Sequence, residues 1–484
     1  MQYSWAMEPD AEPLYLRVAA DLAALIDGGQ LAPAARVPSV RELARQRGVS
    51  LTTAVASLRS LEQRGLIVAR PQSGYYVARR APRLAEPLPT RPPRGSRLVG
   101  VQALVERMAE ASRDPQVVKL GQAVPDASLF PRRHLQRALG DALRADASVL
   151  TSYDLRTGGV PQLREEIVRH YARIGAALDP DEVVITYGCT EAVNLALRCV
   201  LNRGDTLAVE SPTYFGFLRI IESLGLKVIE IPSRPRDGLD VDALRAALAA
   251  PGGRSIRACL IVSSFNNPTG GSLSTEDRRA LVQLCRSADL TLIEDDIYGD
   301  LQFDGARPLP CKHFDTDGRV LLCSSFSKSL APGARTGFIA AGGHADALRE
   351  AKYLASLGTA ALPQRMLATY LRSGHYPRHL ARLRRQLATQ VAQMTALVER
   401  HFPAATRVSR PAGGFVLWLE LPETVDTIEL YEHARRDGVD FVPGPLFSAS
   451  GRYRHCLRLN CGQPVTASVE AAVRQLGALV ARHA

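Results

Sequence analysis

Lysine, clustered cysteine and long apolar runs are all scarce in this chain. Five lysines stand against 55 arginines among 484 residues. No stretch approaches the roughly 20 consecutive apolar residues of a membrane-spanning helix. Met1 to Asp10 has neither the basic start nor the apolar run of a secretory leader. The expectation is a soluble, cytoplasmic protein without a membrane partner. Eight cysteines are scattered with no Cys-x-x-Cys pair and no Cys/His cluster. That spacing argues against a zinc site and a disulfide scaffold, predicts buried free thiols and gives no metal ligand set. What is present is apolar substance: 46% of residues are hydrophobic and 23% charged. Wholesale disorder is excluded, and the length suits two to four domains.

Charge is placed unevenly. Of a formal +11, the first 100 residues carry +6, from 14 arginines, no lysine and eight acidic residues. Such asymmetry points weakly to nucleic acid at that end, and a general preference for arginine accounts for it equally well. The same stretch has helical periodicity from Pro13 to about Ile26, with Leu14, Leu16, Val18, Leu22, Leu25 and Ile26 recurring, stopped by Gly28-Gly29. Ser39-Val-Arg-Glu42 reads as a capping box opening a short second helix, and Ser50 caps a third whose inward positions are Ala54, Val55, Leu58 and Leu61. Two extended pieces, Leu66 to Ala69 and Tyr75 to Ala78, flank a turn-rich loop. Three helices and a hairpin predict a winged helix-turn-helix over residues 12-78.

Residues 79-99 hold five prolines and six arginines with few large apolar side chains, a composition that predicts an extended linker. Beyond it, Val183 to Thr186, Thr206 to Val209, Val228 to Ile231, Cys259 to Val262, Leu292 to Ile293 and Val320 to Cys323 read as strands separated by crossover-length segments. An α/β domain with a mostly parallel sheet follows, its ligand expected beyond the C-terminal strand ends.

Pro13-Leu-Tyr15, Val37 to Ala44, Gly48-Val-Ser50, Thr53-Ala-Val55, Leu61 and Gly65 resemble the DNA-binding domain of GntR-type regulators. The resemblance implies a double-stranded DNA operator as partner. Ser50, Thr52 and Thr53 would enter the major groove, with Ser39 and Arg41 on helix two and Ser73 and Gly74 in the wing loop as further DNA contacts. Leu51 stands where the family often has arginine, so a bidentate guanine contact is missing there. A helix-turn-helix can also mediate protein contacts, and Arg41 can be a solvated charge.

In the second half, Lys328 follows a strand within Ser325-Phe-Ser-Lys-Ser, and Arg335 lies seven residues on, an arrangement able to hold a phosphate beside a neutral amine. Asp295 ends another strand, where an acid can keep a pyridine nitrogen protonated, and strand alternation turns Asp296 the other way. Asn267 in Asn-Pro-Thr-Gly and Tyr298 suit a ring hydroxyl. Gly188-Cys189-Thr190 precedes a helix and suits a phosphate. Tyr214 suits ring stacking. In this order the motifs resemble a fold-type I aminotransferase domain over residues 115-480. That resemblance implies pyridoxal 5′-phosphate as cofactor, with Lys328 as the catalytic lysine that bonds to it. Gly188, Cys189, Thr190, Ser325 and Arg335 would hold its phosphate, Asp295, Asn267 and Tyr298 its ring, and Tyr214 would stack on that ring. Tyr153 would reach the phosphate of the neighbouring subunit, making a homodimer. Arg458 would take a substrate or effector carboxylate, and Cys461 replaces the aromatic residue common behind it. Pro411 to Phe415 and Gly121 are expected to bring backbone close to the ligand.

Winged helix, Pro/Arg linker and aminotransferase-like domain together resemble the MocR subgroup of bacterial regulators. The resemblance implies a transcription regulator sensing a small amine, an amino acid or the cofactor itself. The alternative is a working aminotransferase with an accessory DNA-binding module, since the residues for turnover are present; whether the chain is an enzyme stays open at this point.

Overall fold

A computed structural model describes residues 13–70, 73–78, 83–102, 105–106 and 117–484. The chain divides into two compact units, residues 1–83 with 392–401 and residues 84–391 with 402–484.

In the small unit, α1 (Leu14–Asp27), α2 (Val40–Arg47) and α3 (Leu51–Gln63) precede a hairpin of β1 (Ile67–Arg70) and β2 (Gly74–Val77). The capping box forms as expected: Ser39 N–H donates to Glu42 Oε2 at 2.8 Å and Glu42 N–H to Ser39 Oγ at 3.3 Å. Gly48 closes α2 at φ +62°, a backbone conformation that favours glycine. Thr53 N–H donates to Ser50 Oγ, capping α3. The core joins Val18, Leu22 and Ile26 of α1 with Leu43, Ala54, Leu58 and Leu61. Two positions differ from the periodicity. Leu14 is exposed and Val55 only half-buried, whereas Ser57 is fully buried because its hydroxyl donates to Tyr15 O and Thr53 O, at 2.9 Å each. A buried serine satisfied by backbone carbonyls is invisible to a count of apolar residues. The hairpin pairs Ile67 with Val77 and Arg70 with Gly74, and Arg36 adds a bridge to Tyr76. Pro71 and Gln72 of its loop lie outside the described residues.

The large unit is built on a sheet of β3 (Arg97–Leu98), β4 (Val183–Thr186), β5 (Thr206–Ser211), β6 (Lys227–Arg234), β7 (Ile256–Val262), β8 (Thr291–Asp295), β9 (Val320–Ser325) and β10 (Gly337–Ala340). Their spatial order is β3-β6-β5-β7-β8-β9-β10-β4. β6, β5, β7, β8 and β9 run parallel; β10 is antiparallel to both β9 and β4. The central strands are buried on both faces, which is why they read as apolar runs. A smaller antiparallel sheet pairs β11 (Val416–Glu420) with β12 (Cys456–Asn460), and Val442–Pro443 joins β12 on its other side.

From Leu84 on, the proline-rich segment belongs to this unit and lies along it. Ala85 bridges Arg407, Leu88 N–H donates to Glu420, Thr90 Oγ1 donates to Ser211 O, and Arg97–Leu98 pair with β6. Seven of the eight cysteines are buried, Cys199 is half-buried, and all eight are free thiols.

Candidate functional site

A cavity of about 500 Å³ opens at the C-terminal ends of the parallel strands. Cys189, Thr190, Tyr214, Asn267, Asp295, Tyr298, Ser325, Lys328, Arg335 and Arg458 all line it. These residues span some 270 positions of sequence and meet only because the crossovers return each strand in the same direction. Lys328 lies just past β9, and its Nζ donates to Ala123 O at 2.9 Å. Burial pushes its amine down to about 8, helped by Arg458 and then Arg335, against the pull of Asp295. Sequence reading gave that part to Arg335; burial and Arg458 contribute more.

Asp295 closes β8, where burial raises its carboxyl to about 7 although Ile297 N–H and the Cys189 thiol both hydrogen-bond to it. Asp296 points away from the cavity as alternation requires. Its Oδ2 accepts from Tyr171 Oη at 2.8 Å and from Arg307 Nη2 at 2.5 Å. Two adjacent acids thus serve different ends, one facing an open cavity and one locked in a buried network.

Asn267 is presented by a turn in which Gly270 N–H donates to Asn266 O at 2.6 Å. Buried Arg278 holds that loop through the carbonyls of Ser263, Leu273 and Leu309. The Asn267 side chain hydrogen-bonds Tyr298, whose hydroxyl is raised by burial and by Tyr214. The helix α4 (Gly188–Val200) begins two residues after β4, so Gly188, Cys189 and Thr190 form its first turn rather than a loop before it. Gly188 has φ +78°, and a side chain there would meet Arg335 Nη2 at 2.8 Å. Arg335 itself sits at φ +47° and directs its guanidinium to Tyr187 O. Ser327 Oγ is buried without a hydrogen-bond partner.

Arg458 on β12 is 1% exposed. Its Nη1 donates to Asn267 Oδ1 at 3.1 Å and its Nη2 to Gly121 O. Tyr153 is not in the cavity of its own chain and is 86% exposed. The Pro411 to Phe415 glycines also lie elsewhere: Gly413 packs on Leu301 O and the Phe265 ring, a fit of backbone to core. Gly121 does line the cavity.

In the small unit, Ser50, Leu51 and Thr52 are exposed at the start of α3, Leu51 at 55%. Thr53 is less available, since its Oγ1 is hydrogen-bonded to Ser50 Oγ at 2.9 Å. Ser39 is engaged in the cap, while Arg41 is exposed. Ser73 Oγ bonds Tyr76 Oη at 2.7 Å, and Gly74 is exposed at φ +103°.

Residues 14–77 match the model of the bacterial regulatory proteins of the gntR family, and residues 115–476 that of aminotransferase class I and II. The HTH-type transcriptional regulator YjiR of Escherichia coli is 37% identical over 468 residues, covering 97% of this chain and 99% of the relative. The chain belongs to the MocR-type GntR regulators. Solved structures resemble the large unit of this MocR-type chain. Pyrococcus horikoshii kynurenine aminotransferase, in complex with PMP, has a TM-score of 0.74 at 27% identity, covering 78% of this chain and 94% of that one. LysN of Thermus thermophilus, an α-aminoadipate aminotransferase complexed with N-(5′-phosphopyridoxyl)-L-leucine, has a TM-score of 0.71 at 29% identity, with the same 78% and 94% coverage.

Among the cavity residues of this regulator that sequence reading missed are Ser327, Arg219 and Asp440. Ser327 stands beside a residue that was singled out. Arg219 is one exposed arginine among 55, and Asp440 ends a two-residue strand, Val439–Asp440, that has no periodicity to reveal which way it faces.

Proposed function

We propose that the chain is a bacterial transcription regulator whose small unit binds operator DNA and whose cavity holds pyridoxal 5′-phosphate together with a small amine or amino-acid effector. The carrying observation is Lys328, an amine brought down to about 8 at the mouth of the parallel sheet, with Asp295 lining the same cavity. The residues fit the cofactor. Gly188 leaves room for the Arg335 guanidinium at a helix N-terminus, Ser327 Oγ lacks a partner, and the cavity of about 500 Å³ has the size of a small-molecule site.

In this reading the cofactor, when bound, supplies an aldehyde for amine capture and a ring able to draw electrons from it. Lys328 holds it covalently, Asp295 keeps a proton on the pyridine nitrogen, and Asn267 and Tyr298 orient the ring hydroxyl. The α4 N-terminus, Ser325 and Arg335 take the phosphate, and Tyr214 covers the ring face. Arg458 anchors a carboxylate of the effector by a fork that lysine cannot reproduce.

Tyr153 supports a homodimer. It stands 86% exposed beside Leu150 and Leu155, also exposed at 65% and 61%, in a segment where Asp154 O abuts Gly358, close to exposed Leu354 and Leu357. Such an apolar patch suits a second copy, with Tyr153 reaching that copy's phosphate site. A regulator of this kind works in the cytoplasm, where the bacterial chromosome is. Effector binding alters DNA affinity only if it favours one arrangement of the dimer over another.

The test is selection of bound duplexes from a random pool at fixed salt, with and without pyridoxal phosphate and candidate amines. Recovery of two related half-sites, with affinity that shifts on adding cofactor or amine, is the expected result. Enrichment without any common sequence overturns the regulatory reading.

A further inference from the structure

Two charged groups in the cavity each have a buried polar atom without a partner. Arg458 uses Nη1 and Nη2 on Asn267 and Gly121, but its Nε is buried and unmatched. Asp440 is 3% exposed and lines the same cavity, and its Oδ2 is likewise buried and unmatched. No ion pair joins the two among the described residues. The Asp440 carboxylate is held against Gly121, whose N–H hydrogen-bonds to it and where any side chain would collide with it. Gly121 O takes the other arm of Arg458, so a single backbone residue sets the spacing of acid and base. The Tyr431 hydroxyl hydrogen-bonds to the Asp440 carboxyl from behind, and Phe447 lies beneath the guanidinium at 5.6 Å.

A buried cation and a buried anion lining one cavity, neither with an ion-pair partner among the described residues, are costly unless a ligand of both signs completes them. A simple α-amino acid, with its carboxylate on Arg458 and its only amine at Lys328, leaves the Asp440 charge without a cation and brings a second negative charge beside it. A head group carrying both signs satisfies both. We propose that Arg458 and Asp440 together bind an amino-acid head group, carboxylate to guanidinium and ammonium to carboxylate, and that the effector is a diamino monocarboxylic acid whose second amine faces Lys328. The proposal rests on the effector and cofactor reading above, and it places the α-amine away from the cofactor.

The experiment is calorimetric titration of the cofactor-loaded full-length protein with L-ornithine and L-2,4-diaminobutyrate. Each is compared with the matched compound lacking the α-amine, 5-aminovalerate and 4-aminobutyrate, and L-norvaline serves as the compound lacking the second amine. At least one diamino acid is expected to bind about tenfold or more tightly than its matched ω-amino acid and than norvaline, the scale of a charge-assisted hydrogen bond. Asp440→Asn is expected to bring that advantage to within about twofold. Equal binding with and without the α-amine in the unaltered protein overturns the inference, and so does an advantage that survives Asp440→Asn. The first comparison needs no variant and stands if Asp440→Asn fails to fold. A protein that takes up no cofactor overturns the underlying reading and this one with it, whereas a loaded protein indifferent to the α-amine overturns this one alone.

Discussion

The two units of this chain display their polar residues in opposite ways. In the small unit the groups expected at DNA stand on the surface of an otherwise satisfied structure: Ser50, Leu51, Thr52 and Arg41 are exposed, while the core beneath is closed and apolar. In the large unit the groups of interest are buried. Asp295 and Lys328 shift toward neutrality through burial, and Ser327, Asp440 and Arg458 keep buried atoms unmatched. A surface that meets a polyanion needs exposed groups that cost nothing to leave in water. A site for a small ligand instead keeps its polar atoms dry and waiting, so that the ligand completes them.

The most decisive way to break this contrast is Lys328→Ala. The expected outcome is complete loss of covalently retained cofactor, read as near-ultraviolet pyridoxyl absorbance that stays with the protein through borohydride reduction and gel filtration, with operator affinity of the cofactor-free protein unchanged. Retention of the cofactor on another lysine would separate the cavity from the chemistry assigned to it. Asp295→Asn comes next. It removes the acid opposing the pyridine nitrogen, and cofactor affinity is expected to fall by roughly one to two orders of magnitude, the effect of losing one charge-assisted bond at about 1.5–3 kcal/mol.

The pH dependence of cofactor uptake sharpens the same side. Lys328 has its value lowered from the ordinary lysine range to about 8, so the neutral amine that attacks the aldehyde grows with pH and is dominant above that value. Asp295, raised to about 7, becomes ionised over the same climb. The uptake rate measured by stopped-flow absorbance is therefore expected to rise steeply from pH 6 and level off above about 8, with Asp295→Asn keeping the upper limb alone. A rate that falls with pH over that range would exclude Lys328 as the attacking group.

Much of this was legible in the sequence, for identifiable reasons. Caps, glycine stops and turn residues act within four or five positions, so Ser39, Glu42, Gly48 and Ser50 can be read directly. The doubly buried strands declare themselves as apolar runs. Period-two alternation separates Asp295 from Asp296 without a structure. What escapes is whatever depends on contacts between distant segments. Ser57 is buried because Tyr15 O awaits it, Asp440 faces the cavity because Gly121 has no side chain, and the 411–415 glycines serve Phe265 rather than a ligand. No local pattern encodes these partners.

On the DNA side the expected effects are smaller. Thr52→Ala should cost about 1–3 kcal/mol of operator affinity if Thr52 contacts a base pair, with non-specific binding unchanged. Arg41→Ala should instead weaken binding to all sequences and flatten the salt dependence by about one unit, as expected of a phosphate contact. Cofactor absorbance serves as the control for both. If either change bleaches the cofactor, the division of labour between the units fails.

The smallest effect concerns the helix caps that present this surface. Ser50 Oγ accepts the Thr53 N–H, and removing that bond by Ser50→Ala should destabilise the start of α3 by about 1 kcal/mol. In the full chain this is read as roughly fivefold faster exchange of the first α3 amides, with exchange in the large unit unaltered. Loss of the cap also frees the Thr53 hydroxyl, now tied to Ser50 at 2.9 Å. The two consequences pull operator affinity in opposite directions, fraying lowering it and a freed donor raising it. Comparing Ser50→Ala with Ser50→Gly resolves them, because glycine is nearly as good a cap as serine yet frees the same hydroxyl. An operator affinity that drops for alanine and holds for glycine would show that the order of α3, more than the serine itself, is what the duplex reads.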